Sequence, residues 1–275
     1  MKYEKINLRD DGKVYLETYI LDKSPEMPAL HVRPAVMICP GGGYFMCSDR
    51  EAEPIAMAFA AEGFHTFVIR YSLNEDAVFP NSLCDLSRAM KIVREHSEEW
   101  GVNENAIAVA GFSAGGHLAA TLGTLWNDKE IQTTAGCFND ENRPDALVLC
   151  YPVTGPIGEC PADCLNTLLR GTEGEAREKL LEKISPYKQV GKHTPPSFIV
   201  HTFEDETVPV ENSLVFAKAL SDNGIPFELH IVQKGVHGLA LANDVTYVAD
   251  CHVEPSFQPW VKNCSRWLKD NFNKK

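Results

Sequence analysis

The sequence predicts an α/β fold, a mostly parallel central sheet flanked by helices on both faces. Three observations lead there. Short β-rich runs alternate with helical segments along nearly the whole chain. Several of those runs are apolar throughout, which suits strands covered on both faces, as parallel strands are. A glycine–serine turn stands between one such run and a helical segment.

Seven strands are expected, at Val14–Ile20, Ala35–Cys39, His65–Tyr71, Ala106–Ala110, Ala146–Tyr151, Ser197–Thr202 and Phe227–Val232. AVMIC, AIAVA and ALVLCY contain no polar position to turn toward water. Asn81–Trp100 carries Leu83, Leu86, Met90 and Val93 at helical spacing, with Ser82 as an N-cap. Glu211–Asp222 places Leu214, Phe216, Ala217 and Leu220 on one stripe, and Gly224 follows as a C′ glycine. Pro259–Phe272 repeats the pattern with Val261, Cys264, Trp267 and Leu268. Residues 154–196 break the rhythm. They exceed an ordinary connection and hold a short helix near Ala162–Leu169 and a charged one near Glu173–Ile184. Such an insertion often caps an active site, so a cap is expected at about 154–196 within a single domain spanning 1–275.

Composition excludes several classes. Of 275 residues, 44% are apolar and 23% charged, too apolar for a disordered chain. Against 38 acidic side chains stand 26 basic ones, a net charge of −12 with no Lys/Arg block, so no nucleic-acid partner is expected. No run approaches the ~20 apolar residues of a membrane span, and MKYEKINLRDDG has charges where a secretion signal needs an apolar stretch. The expectation is a soluble, cytoplasmic protein that does not engage membranes. Its nine cysteines are scattered without zinc spacing, so no metal is expected. Cys160 and Cys164 are near enough to pair, but free thiols fit the scatter better.

The chemistry centres on Gly111-Phe112-Ser113-Ala114-Gly115-Gly116-His117, directly after AIAVA and before a helical segment. G-x-S-x-G alone is a weak signal; strand–turn–helix context makes it a nucleophile elbow, with Ser113 exposed at the sheet's C-terminal edge. A serine hydroxyl needs a base, and the base needs an orienting acid. His237, in Gly-Val-His-Gly after the strand FELHIV, sits where a base can reach the serine. His117, four residues along the elbow helix, should point away and serve as a core or hydrogen-bonding residue; His201 and His230 lie within strands. Asp205, just beyond SFIVHT, is the expected acid, with Glu204 and Glu206 as adjacent alternatives. The glycines of Cys39-Pro40-Gly41-Gly42-Gly43-Tyr44 let a backbone turn its N–H groups toward a ligand. The N–H of Gly42 or Gly43, with that of Ala114, is the expected oxyanion hole. The loop lacks the Lys-Ser/Thr of a phosphate-binding loop. Tyr44 has two readings: a wall of the acyl or sugar pocket, or packing.

With these pieces the chain resembles the α/β-hydrolase superfamily, specifically its bacterial esterase/lipase branch. The resemblance rests on PGGGY at 40–44, GFSAGGHLAA at 111–120, D-x-x-V-P at 205–209 and VHG at 236–238. It is nearest to the group of acetylxylan esterases, other carbohydrate acetyl esterases and kynurenine-formamidase-like enzymes. Ser48-Asp49-Arg50-Glu51, Ser185-Pro186-Tyr187 and Thr194-Pro195-Pro196 also look like that group. The resemblance implies a triad of Ser113, Asp205 and His237, with Gly42, Gly43 and Ala114 as oxyanion donors. It implies no cofactor and a small-molecule ester as substrate, acetylated sugars or xylo-oligosaccharides above all. Pro40 stands where many lipases have the His of HGGG. Two rivals remain: an arylformamidase-like amidase or small peptidase on the same fold, and a non-catalytic binding protein. A homo-oligomer is neither required nor excluded.

Overall fold

The structure is a computed structural model. It describes residues 1–158 and 160–273, and the side chains of residues 160–162 lie outside the description. Among the described residues, eight strands form one sheet: β1 (Lys2–Asn7), β2 (Tyr15–Ile20), β3 (Arg33–Cys39), β4 (His65–Arg70), β5 (Val102–Phe112), β6 (Ala146–Cys150), β7 (Ser197–Thr202) and β8 (Phe227–Val232). Their order is β1-β2-β4-β3-β5-β6-β7-β8. The pairings β1–β2 and β2–β4 are antiparallel; the five from β4–β3 through β7–β8 are parallel.

Among the described residues, ten α-helices connect or cover the strands: α1 (Glu53–Ala61), α2 (Asn81–Glu95), α3 (Ser97–Trp100), α4 (Ala114–Leu125), α5 (Lys129–Ala135), α6 (Cys160–Leu168), α7 (Gly174–Lys183), α8 (Pro186–Gln189), α9 (Glu211–Asp222) and α10 (Trp260–Phe272). The apolar strands are explained by what lies above and below. Met37, Val109, Leu147 and Ile199 face one core layer with Leu86 and Met90 of α2, Leu118 of α4 and Phe216 of α9. Their chain neighbours Ile38, Ala110, Val148 and Val200 face the other, with Ile55 and Phe59 of α1 and Trp260 and Leu268 of α10. Each large apolar side chain so buried contributes about 1.5–3 kcal/mol. Both faces of the central strands are buried, so period-two polarity does not arise there.

The differences from expectation have local causes. β1 was not expected: KYEKIN is mostly exposed and takes its place by pairing with β2 at the sheet edge. α1, EPIAMAFAA, shows no polar face because it is sandwiched against β4, β3 and α10. The helix expected over 81–100 breaks at His96 into α2 and α3. Ser82 does not cap it. The helix starts one residue earlier, after Pro80, and the Ser82 hydroxyl donates to the Ser72 carbonyl instead. Gly224 does take φ +71° just past α9, where a side chain would be strained. The Cys160–Cys164 pairing falls on Cys160, whose side chain lies outside the described residues. No helix of the described residues is long and apolar enough to cross a membrane.

Candidate active site

Parallel strands all end at the same edge, and the loops leaving that edge converge. β5 ends at Phe112 and α4 begins at Ala114, so Ser113 occupies the tip between them, at φ +53° and ψ −118°. A non-glycine residue there is strained, and the flanking elements hold it. A Cβ on Gly111 would collide with the Gly115 carbonyl, and one on Gly115 with the carbonyls of Cys39 and Pro40. The turn is this tight only because both are glycine.

Three loops bring the remaining groups to Ser113. The loop after β8 carries His237, whose Nε2 accepts from the Ser113 Oγ–H at 2.8 Å. The loop after β7 carries Asp205, whose Oδ2 accepts from His237 Nδ1–H at 2.7 Å. The carboxylate fixes the tautomer: Nδ1 holds the proton, which leaves Nε2 free to accept the serine proton. Asp205 Oδ1 accepts from the backbone N–H of Thr207 and Val208 at 3.0 and 2.8 Å. Burial would raise the Asp205 carboxyl. Hydrogen bonds from His201 and His237, the charge of His237 and the Val208 N–H outweigh it and hold the group well below the ordinary carboxylate range. Glu204 and Glu206 are exposed and make no such contacts.

The loop after β3 supplies the glycines. Gly42 and Gly43, at φ +125° and +67°, line a cavity of about 460 Å³ together with Ser113, Ala114 and His237. Phe45, Met46, Val153 and Cys164 give it apolar walls, and Asp163 and Cys164 bring the 154–196 insertion to it through α6. Tyr44 does not line it. Its side chain is 1% exposed and its hydroxyl donates to His117 Nδ1 at 2.8 Å, because φ +65° turns the residue back into the core. Of its two readings, the packing one fits this placement. His117 is buried as well and donates from Nε2 to the Ile184 carbonyl at 2.7 Å.

Two residues carry more of the site than the sequence disclosed. His201, fully buried on β7, donates from Nε2 to Asp205 Oδ2 at 3.2 Å and to the Val208 carbonyl at 2.9 Å. It braces the same carboxylate oxygen that His237 meets. A histidine inside an apolar strand was the available signal, and it had no assigned task. Glu51, 4% exposed, gathers a chain of donors. Gly41 N–H donates to Oε2 at 2.8 Å, Tyr151 O–H to Oε1 at 2.7 Å, and Ala240 N–H to the Tyr151 oxygen at 3.0 Å. Burial pushes the Glu51 carboxyl up, while the Tyr151 and Gly41 hydrogen bonds pull it down. Every bond in this chain points toward Glu51, so an acceptor-only carboxylate ties the glycine loop to the histidine loop. Its position in S-D-R-E was visible; its partners were not.

Comparison with known proteins bears on this geometry. The sequence profile of one family, BD-FAE, matches residues 24–220. The chain belongs to the BD-FAE family. Its fold is that of the α/β hydrolases, shared with MGS-M1, an alpha/beta hydrolase enzyme from a Medee basin deep-sea metagenome library. The two are 36% identical, with 99% of this chain and 98% of the other covered and a TM-score of 0.80. The acetyl ester-xyloside bifunctional hydrolase from Caldicellulosiruptor lactoaceticus is also 36% identical, covering 96% and 92% of the two chains, with a TM-score of 0.77. The acetylxylan esterase of Xylanibacter ruminicola is 31% identical over 88% of this BD-FAE member and 47% of its own length. The chain spans about a third to a half of the curated relatives that it matches first.

Proposed function

We propose that this BD-FAE family member is a serine carboxylesterase that removes short acyl groups, acetyl above all, from sugars or xylo-oligosaccharides. The observation that carries the reading is the unbroken hydrogen-bonded chain Ser113–His237–Asp205 opening on a cavity lined by Gly42, Gly43 and Ala114. The names of the acetylxylan esterase and the acetyl ester-xyloside hydrolase support the substrate class.

In this reading Ser113 Oγ attacks the ester carbonyl as His237 Nε2 takes its proton. The N–H groups of Ala114 and of Gly42 or Gly43 hold the tetrahedral oxyanion. The C–O bond to the alcohol then breaks, and His237 returns the proton to the departing oxygen. Water, deprotonated by the same imidazole, cleaves the acyl-serine; the acid leaves and Ser113 regains its proton. Asp205 stays ionised throughout, which its lowered pKa allows, and stabilises the imidazolium.

A rate panel tests the reading: acetylated xylo-oligosaccharide, short and long p-nitrophenyl esters, and N-formylkynurenine. The sugar acetate and the short ester should be cleaved fastest. Rapid deformylation with little sugar-ester cleavage would transfer the site to amide chemistry.

A further inference from the structure

Arg50 lines the same cavity as Ser113 and His237. The hydrolysis steps do not use it. Its Nε–H donates to the Thr246 carbonyl at 2.8 Å, which fixes the plane of the guanidinium. Its Nη2 is buried, and no group of the described residues accepts from it. No carboxylate of the described residues lies within ion-pair distance of it, although the buried Glu51 carboxyl feels its charge. A buried cationic donor without an acceptor is costly, on the order of 1–3 kcal/mol or more, so a site that retains one has a use for it.

Position says which part of a substrate meets it. Arg50 Nη1 lies 3.9 Å from where a Cβ would stand on Gly238, the residue after His237. Its Nε partner Thr246 follows in the same loop region. The guanidinium therefore stands at the loop that carries His237, in the same cavity as the oxyanion donors Gly42, Gly43 and Ala114. His237 delivers its proton to the leaving alcohol, so the alcohol portion sits on the Arg50 side. The charge nearby selects the acceptor. Asp163 lines the cavity and the Glu51 carboxylate is buried beside Arg50 in the chain, which disfavours an anionic group and leaves neutral oxygens.

We propose that Arg50 is a specificity-determining residue, its guanidinium held by the Thr246 carbonyl and donating from Nη1 to a hydroxyl or ring oxygen near the ester on the alcohol side. The favoured substrates are then esters of polyhydroxylated alcohols. This rests on the esterase reading, in which His237 protonates the leaving oxygen.

The test compares kcat/KM for two acetates built on six-membered rings, a monoacetylated methyl xyloside and cyclohexyl acetate. Wild type should favour the sugar ester at least tenfold. In Arg50→Met that preference should shrink by about ten- to hundredfold, the size of one charge-assisted hydrogen bond, with KM for the sugar ester rising. Arg50→Lys, which keeps the charge without the planar fork, should fall between them. An equal loss on both esters in both variants would assign Arg50 to holding the Thr246 loop and overturn the proposal. A wild-type preference near one would also overturn it while leaving the esterase reading intact. Cleavage of neither ester by wild type would sink the esterase reading itself, and Arg50's role with it.

Discussion

The nucleophile elbow and the 154–196 insertion both reach the cavity, yet they are built in opposite ways. Every residue of the elbow helix α4 is buried, and its turn is closed by glycines that admit no side chain. In the insertion, α7 buries no residue, and among the described residues α6 meets the cavity, through Asp163 and Cys164. The two are clasped by hydrogen bonds, from His117 of the elbow helix to the Ile184 carbonyl at the end of α7 and from His193 Nε2 of the insertion to the Thr124 carbonyl of α4 at 2.8 Å. The contrast teaches that the part to which we assign the chemistry is packed on every side, while the insertion packs its inner side on the core through Leu165, Leu168 and Leu169 and leaves its outer helix without a buried residue.

The predictions press on that contrast in order of size. Ser113→Ala should lower kcat on p-nitrophenyl acetate by about 10⁵–10⁶-fold, as loss of a triad nucleophile does. Wild-type turnover in that variant would refute the elbow as the reacting part. Asp205→Asn should cost about 10⁴-fold in kcat by unsettling the His237 tautomer. Glu204→Gln should change it less than threefold, and a reversed pattern would reassign the acid. Gly111→Ala should destabilise the fold by more than about 4 kcal/mol, since the collision is with backbone and neither partner can yield. A normal urea midpoint would show the elbow to be looser than its packing implies.

Acid should loosen the clasp next. Burial, against the Ile184 hydrogen bond, holds the His117 ring down to about 4 from its ordinary 6.5. Between those values the unfolded ring binds a proton and the folded one does not, so stability is full above pH 6.5 and declines as pH falls toward 4. At about 1.4 kcal/mol per pH unit, His117 alone removes about 3 kcal/mol across that window. His65, also held down to about 4 by burial, acts in the same direction. Urea midpoints from pH 7 to 4 measure the slope, and a flat profile would contradict it. The smallest effect belongs to the insertion's outer helix: Glu178→Ala, on the exposed face of α7, should shift stability by less than about 0.5 kcal/mol.

Legibility along the chain follows the same division. The elbow could be read because its chemistry needs fixed residues at fixed spacing beside a strand that is apolar on both faces. His237 and Asp205 could be read because each follows a strand end, where the fold collects its loops. β1 was not legible, since an exposed edge strand carries no apolar period and exists by virtue of its partner. Neither was α1, whose apolar residues face neighbours on several sides and so show no stripe. Tyr44 illustrates a finer limit: one backbone angle decides between cavity and core, and it sends Phe45 and Met46 to the cavity instead.

The sequence by itself determined the layered α/β architecture, the strand–turn–helix around Ser113 and the order of serine, acid and histidine. Those are local matters of periodicity, glycine placement and loop position. Tertiary structure alone decided which buried groups support them. His201 braces Asp205 from four residues away, but only because the chain folds its strand and loop together, whereas Glu51 between the glycine and histidine loops and Arg50 at the Thr246 loop are joined by hydrogen bonds across wide gaps in sequence, 100 residues from Glu51 to Tyr151 and 196 from Arg50 to Thr246. No spacing rule reaches that far, because such pairs are selected by burial, which makes an unpartnered polar group costly and depends on the folded chain as a whole.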